Sequence, residues 1–350
     1  MKREIFIGPV GIGGSHPVSI QSMTKTPTVD VVATLKQIRG LDTAGCQIVR
    51  VAIPDRESLP AFRRIVARSP LPVVADVHFD AALAVEAIGA GAHGLRINPG
   101  NIGSPTKLKE ILRLAKERSI PIRIGINAGS LAKKTRRLRL GPAERMVHSA
   151  LEQIKFFEDQ GFRDIKISLK SSDVNDTIAA YELIDQRCPY PLHLGVTESG
   201  TLLSGAIKSA LGIGHLLRKG IGNTIRVSLA ADPLQEVIVA RHILQALDRN
   251  RAGIELVACP TCGRTSVDLL SRVRQFEDAV IGWRPRRRIK VAIMGCEVNG
   301  PGEAADADIG LAFSRRHGLI FRTGQLPERV EAKDAVARLV ELVRALVDQS

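Results

Sequence analysis

PIRIGIN (121–127) and DIKISLK (164–170) decide the fold. Each is a short run rich in isoleucine and bounded by turn or polar residues, which is the pattern of a buried strand. Alternate residues of a strand share a face. One face of each run is therefore apolar. The other carries Arg123, Gly125 and Asn127 in the first run, and Lys166, Ser168 and Lys170 in the second.

Six further runs of this kind recur around them: PVSIQS (17–22), QIVRVAI (47–53), PVVADVH (72–78), GLRIN (94–98), PLHLGVT (191–197) and NTIRVSL (223–229). The segments between them, such as VVATLKQIRGLDTAG and AALAVEAIGAGA, show helical periodicity, and Asp30, Asp80 and Asp173 stand where helix N-caps belong. Eight β/α units in about 240 residues predict a closed (β/α)8 TIM barrel, with a doubly wound open sheet as the alternative. GPVGIGG (8–14) precedes the first unit and lacks a strand–GxGxxG–helix setting, so it reads as a hairpin turn at the barrel floor. After about residue 250 the pattern changes. IELVA (254–258), RIKVAIMG (288–295), DIGLAF (308–313) and GLIFRTG (318–324) read as strands, and 266–280 and 328–349 as helices. The expected division is a barrel over 1–250 and a small α+β domain over 251–350.

Composition agrees with an α/β protein: 44% of the 350 residues are hydrophobic but only 3% aromatic, which suits branched strands and alanine-rich helices. No apolar run reaches membrane-spanning length and MKREIFIGPV is not a signal peptide, so the expectation is a soluble cytoplasmic protein. Five cysteines in a large chain argue against a disulfide framework and for metal-bound or buried thiols. The net charge of +14 points to an acidic partner, an anionic substrate or nucleic acid. Neither basic cluster, KKTRRLR (133–139) or RPRRRIK (284–290), interleaves with aromatics, which argues against a single-strand stacking platform.

The alternation extends to the other strands. Arg96 pairs with Asn98, Asp76 with His78, Arg226 with Ser228, His193 with Thr197 and Ser19 with Gln21, and Arg50 adds a cation. Polar groups thus recur near the C-terminal strand ends, where barrel sites are built. Unpartnered buried cations cost several kcal/mol each. Only Asp76 and Glu198 stand nearby as counterions, so the excess charge implies a phosphorylated or diphosphate ligand gripped by arginine. His78 reads as a hydrogen-bonding residue or a proton-transfer group. Glu198 reads as a proton donor or a helix N-terminal carboxylate.

CPTCGR (259–264) and Cys296 form a second group. Zinc wants a fourth Cys or His, and His317 is the nearest. An iron–sulfur cluster usually takes four thiolates, so three leave one iron to another ligand. The NGPGE loop returns Glu303 within reach of that position. Cys46 and Cys188 read as packing residues.

QSMT (21–24), ADVHFD (75–80), LRINPGNIG (95–103), IRIGINAGS (122–130), KISLKSSD (166–173), LHLGVTESG (192–200), RVSLAADP (226–233), ACPTCGR (258–264) and MGCEVNGPGEA (294–304) occur in this order. Together they resemble the flavodoxin- or ferredoxin-dependent 4-hydroxy-3-methylbut-2-enyl diphosphate synthases of non-mevalonate isoprenoid synthesis, over nearly the whole chain. The resemblance implies a barrel followed by a sulfite-reductase-like domain. That domain would hold a 4Fe–4S cluster on Cys259, Cys262, Cys296 and Glu303. It implies reductive opening of 2-C-methyl-D-erythritol 2,4-cyclodiphosphate, with electrons from flavodoxin or ferredoxin. Arg50, Arg96, Arg123, Lys170 and Ser228 match diphosphate-holding positions, with Asn127 and Arg226 beside them. Asp76, His78, Thr197 and Glu198 match other pocket positions, and Glu198 or Glu303 would deliver a proton. AKKTRRLRLGP (132–142) is more basic than the family pattern.

The last barrel helix returns the chain to the floor, and the link DRNRAG (248–253) is short. The thiol domain is therefore expected below its own barrel, away from the mouth. A head-to-tail homodimer, as the resemblance also implies, would set one chain's cluster over its partner's barrel. Two other classes remain at this point: a zinc-bearing RNA-binding protein and an electron carrier without substrate. The first leaves arginines inside barrel strands unexplained, and the second leaves the anion pocket unexplained.

Overall fold

The structure is a computed structural model and describes all residues except 79, 99–104, 250, 251, 298–301, 303, 323 and 350. It falls into two units, Met1–Arg249 and Asn250–Ser350. The first begins with an antiparallel hairpin of β1 (Ile5–Ile7) and β2 (Val10–Ile12). Gly8 turns it at φ +55°, a left-handed conformation that resists a β-carbon. Ile5, Ile7 and Ile12 pack on Ile48 and Val74, near the starts of two barrel strands, so the hairpin covers the floor as the sequence suggests.

Eight parallel strands follow: β3 (Ser19–Met23), β4 (Ile48–Ala52), β5 (Val73–Asp76), β6 (Gly94–Ile97), β7 (Ile122–Asn127), β8 (Ile165–Lys170), β9 (His193–Leu194) and β10 (Thr224–Ile225). Their order is β8-β7-β6-β5-β4-β3-β10-β9, and a parallel bridge between Ile167 and Leu192 closes the ring. This is the expected (β/α)8 barrel. Ile122, Ile124, Ile126, Ile165, Ile167 and Leu169 belong to one continuous core shared with the surrounding helices. In chain order these are α1 (Val31–Ala44), α2 (Leu59–Arg68), α3 (Ala81–Gly89), α4 (Pro105–Glu117), the short α5 (Lys133–Arg136), α6 (Pro142–Asp159), α7 (Val174–Asp185), α8 (Leu202–Arg218) and α9 (Pro233–Ala246). The carboxylates of Asp30, Asp80 and Asp173 accept from Ala33, Ala82 and Asp176 backbone N–H groups, which caps α1, α3 and α7.

Strands β9 and β10 are shorter than their runs predict. The β9 ladder ends at Gly195, where a β-carbon would lie 2.6 Å from both the Arg226 carbonyl oxygen and Lys170 Nζ. Backbone and a long cation converge there, and only glycine leaves room for both.

The second unit is a mixed sheet in the order β11 (Gly253–Ala258), β12 (Arg288–Met294), β13 (Ile309–Phe313), β14 (His317–Arg322) and β15 (Glu328–Glu331). Helices α10 (Leu269–Val280) and α11 (Ala335–Asp348) pack on it through Phe276, Leu339 and Val343. Residues 328–331, where the sequence predicts the start of a helix, form a strand instead. They add an antiparallel edge strand to β14 in the register Ile320–Glu328 to His317–Glu331. Val330 packs on the core from this strand, and Arg338 of α11 ties back to Glu328 at 2.8 Å. Among the described residues no helix is long and apolar enough to cross a membrane.

Candidate active site

Backbone pairing sets one row of charges across the barrel. Asp76 lies in register with Arg96, Arg96 with Arg123, and Arg123 with Lys166. All four are buried. One carboxylate therefore stands at one end of a row of three cations. Asp76 engages Arg96 at 3.1 Å and Arg50 at 3.5 Å. Arg123 donates to the Ser168 hydroxyl at 2.7 Å. Arg50 also points its guanidinium at the thioether of Met23, a weak acceptor, at 2.8 Å. The Nε donors of Arg96, Arg123 and Arg226 are buried and make no hydrogen bond among the described residues. Such donors at the inner face of a barrel fit an incoming anion.

Two glycines make this crowding feasible. A β-carbon at Gly125 would sit 3.0 Å from Arg96 Nε, so the guanidinium lies across the β7 backbone. Gly195 does the same for Lys170. Sequence alternation marks these positions as inward but does not reveal that they are grooves for neighbouring cations.

The electrostatics follow from burial and crowding. Burial alone would raise the Asp76 carboxyl, but Arg50, with His78 and Arg96, holds it well below the usual carboxylate range. Burial lowers Arg50, with Arg226 and Arg96 adding to the effect against the pull of Asp76. Burial, then the neighbouring arginines, push Arg123 and Lys170 well below their ordinary values. His78 contacts Arg96 and lies 3.5 Å from the Asp76 carboxylate.

The expected counterions need one correction. Glu198 is exposed and enters no ion pair among the described residues. The second internal carboxylate is Glu236 on α9, only 2% exposed. It lies 3.0 Å from Lys25 and 3.5 Å from Arg226, and it accepts from Leu229 N–H at 3.1 Å. Its sequence signal is a glutamate on the helix face of Pro233, Val237 and Ala240, all buried. Glu198 instead holds a left-handed backbone at φ +51° beside the half-buried Thr197, a strained position at the C-terminal strand ends. Ser199 ties this turn to the Ser228 carbonyl. Asn127 ends β7, half-buried.

In the second unit, Cys259 follows β11 and Cys296 follows β12, two adjacent parallel strands. Gly295 N–H donates to Cys259 Sγ at 3.2 Å. A β-carbon at Gly295 would meet Thr265 at 2.9 Å, so the CPTCGR turn folds tightly over the Gly295–Cys296 corner. Cys262 is exposed on that turn, and its thiol is held below its ordinary value by backbone and side-chain hydrogen bonds from Arg264. Among the described residues no three His, Cys, Asp or Glu side chains stand together in a metal-binding arrangement. Glu303 lies outside the described residues, as does most of the NGPGE loop. His317, the alternative zinc ligand, begins β14. Cys46 and Cys188 are buried in the barrel core, as expected of packing residues.

The family described as the GcpE TIM-barrel domain matches residues 2–241, and the GcpE protein C-terminal domain matches residues 255–345. Over 349 residues the chain is 49% identical to the 4-hydroxy-3-methylbut-2-en-1-yl diphosphate synthase (flavodoxin) of Geobacter sulfurreducens, spanning 99% of this chain and 98% of that one. The chain belongs to this synthase family. A synthase of the same name from Clostridium perfringens is 48% identical over 345 residues, 98% of each chain. The dihydropteroate synthase of Yersinia pestis shares the barrel fold at TM-score 0.52 and 13% identity, over 71% of this chain and 99% of that one. Family membership makes the chain an enzyme of the oxidoreductase class.

Proposed function

We propose that the chain converts 2-C-methyl-D-erythritol 2,4-cyclodiphosphate to (E)-4-hydroxy-3-methylbut-2-enyl diphosphate by two-electron reductive ring opening. One observation carries the reading: Arg50, Arg96, Arg123, Lys166, Lys170 and Arg226 crowd a barrel interior that offers Asp76 and Glu236 as carboxylates. A diphosphate supplies the missing negative charge, and the Nε donors of Arg96, Arg123 and Arg226, unpartnered among the described residues, supply hydrogen bonds to it. Arg50, Arg96, Arg123 and Lys170 orient it, with Asn127, Thr197, Arg226 and Ser228 around them. Asp76 and His78 fix the Arg96 guanidinium. As the ring opens, a phosphate oxygen departs with new negative charge, which these fixed cations stabilise without reorganising. Loss of the hydroxyl as water requires a proton. Glu198, exposed at the C-terminal strand ends, and Glu303 are the donors assigned to it.

The residues of the second unit suit a 4Fe–4S cluster on Cys259, Cys262, Cys296 and Glu303. Two of the thiols end adjacent parallel strands and the third lies on a turn held against them. When bound, the cluster supplies electrons one at a time. The donor is a flavodoxin or ferredoxin, whose acidic surface suits the +14 chain. The exposed Lys133, Arg137 and Arg139 suit that docking better than Arg287, Arg288 and Lys290, which already pair with Asp308, Glu255 and Asp306. A head-to-tail homodimer brings the cluster of one chain to the barrel of the other. The exposed stripe Leu203, Ile207 and Leu211 on α8 supports a covered apolar face there. Five free cysteines suit a reducing cytoplasm.

The test is anaerobic reconstitution with iron and sulfide, followed by turnover with a chemical reductant. Formation of the allylic diphosphate supports the reading. A reconstituted protein that binds iron and sulfide but leaves the cyclic diphosphate intact refutes it.

A further inference from the structure

The ring of strands closes between β8 and β9, and side chains of α7 are built into that closure. The two strands share a parallel bridge at Ile167 and Leu192, where Ile167 N–H donates to the Pro191 carbonyl at 2.9 Å. Further along, Thr197 N–H donates to the Ser171 carbonyl at 3.1 Å in the same register. Between these points a regular parallel ladder would carry Leu169 N–H to the His193 carbonyl and Ser171 N–H to the Gly195 carbonyl. Both donors go to α7 instead. Leu169 N–H donates to the Tyr181 hydroxyl at 3.1 Å, and that hydroxyl donates to the His193 carbonyl. Ser171 N–H donates to Thr177 Oγ1 at 3.2 Å. Tyr181 and Thr177 are buried residues of α7. Burial pushes the Tyr181 hydroxyl above its ordinary value, so it stays neutral and serves both strands, as acceptor to one and donor to the other.

Tyr181 thus stands in the place of one ladder bond. A bridge through a hydroxyl is longer than the roughly 2.9 Å of a direct N–H···O bond, so the strands part there. Lys170 lies between the two diverted donors. It ends β8 in register with Asn127 at the end of β7, so this part of the seam lies at the C-terminal strand ends. Its buried ammonium crosses Gly195, which directly follows β9; a β-carbon there would lie 2.6 Å from Lys170 Nζ. The spacing of β8 and β9 therefore decides where that ammonium sits.

We infer that Tyr181 and Thr177 are positioning residues of the diphosphate site: their hydroxyls take the place of ladder bonds in the β8–β9 seam and so set where the Lys170 ammonium meets the ligand. The inference rests on the proposed function, in which Lys170 orients the diphosphate. Without the Tyr181 hydroxyl, Leu169 N–H and the His193 carbonyl either pair directly, which draws Gly195 onto Lys170, or stay unpaired, which loosens the seam. The Arg226 carbonyl crowds the same point at Gly195, so the first case leaves the lysine no room. Either case moves the ammonium, and a charge-assisted hydrogen bond weakens steeply with misalignment.

The experiment is a double-mutant cycle on the full chain, read as affinity for the cyclic diphosphate by calorimetric titration. Tyr181→Phe keeps the ring and its packing, so it should fold, which circular dichroism checks. It should bind about ten-fold more weakly than the wild type, and Lys170→Met about ten-fold or more. In the Lys170→Met background Tyr181→Phe should change affinity by less than about two-fold, because the group it positions is gone. Should Tyr181→Phe not fold, Thr177→Val takes its place in the cycle with the same expected coupling. Wild-type affinity in the seam variant, or an equal loss with and without Lys170, overturns the inference while the proposed function stands. If the wild type does not bind the cyclic diphosphate at all, both fall.

Discussion

In the barrel, Arg96 meets Asp76 from a strand whose register with its neighbour is fixed by backbone pairing. In the second unit, Cys262 stands exposed on a turn beyond the end of β11. The proposed anion site is preorganised: its cations lie on rigid strands, wedged past glycines and buried at a cost the folded barrel sustains. The cysteine group has two members just past the ends of adjacent strands, while Cys262 lies on a turn. Strand-borne groups are held before any ligand arrives, whereas thiols on turns are drawn together by what they bind.

That contrast predicts how each region fails. The largest effect is expected from Cys296→Ser, which should abolish reductive turnover and bound iron yet leave the affinity for the cyclic diphosphate unchanged. Iron analysis alongside a binding titration separates the two readouts, and a joint loss would break the contrast. Arg96→Met comes next. It removes the nearer cation from the buried Asp76 carboxylate, leaving Arg50 and His78, and removes a phosphate donor, so kcat/KM should fall by about 10²–10³ and stability by roughly 1–3 kcal/mol. Iron content should not change. Gly125→Ala should push the Arg96 guanidinium from its groove, raising KM about ten-fold with little change in thermal midpoint.

A smaller effect concerns pH. The Asp76 carboxyl is depressed in the folded barrel, so its contribution is complete above the unfolded value near 4. It is lost as pH falls from there toward the folded value. Stability of the wild type should therefore decline on acidification by up to about 1.4 kcal/mol per pH unit more steeply than that of Asp76→Asn. Matching slopes for the two proteins would show that Asp76 is not held by Arg50 and Arg96. The smallest effect is at the surface. Arg137→Glu should weaken flavodoxin-driven turnover a few-fold, more at low salt, and leave turnover with a chemical reductant intact.

The sequence makes the barrel legible because a period of two maps directly onto the inner face of a strand. Arg96, Arg123, Lys166 and Lys170 could be placed there by counting alone. Glu236 escapes that count because it reaches the interior from a helix, where the relevant period is different. The roles of Gly125 and Gly195 depend on which neighbouring cation crosses them, which no single strand encodes. The segment 328–331 has the sequence of a helix start because ERVE continues into a helical pattern, whereas pairing with β14 decides its state. The CxxC spacing is visible as a motif, but its approach to Cys296 depends on Gly295 meeting Thr265 across the sheet end.

The most direct test of the cationic barrel interior is the affinity of the cluster-free full chain for the cyclic diphosphate, measured beside Arg123→Met. Binding by the wild type without iron, weakened about a hundred-fold in the variant, is the predicted result. Equal affinity in both proteins, or binding only after iron and sulfide are restored, would contradict it.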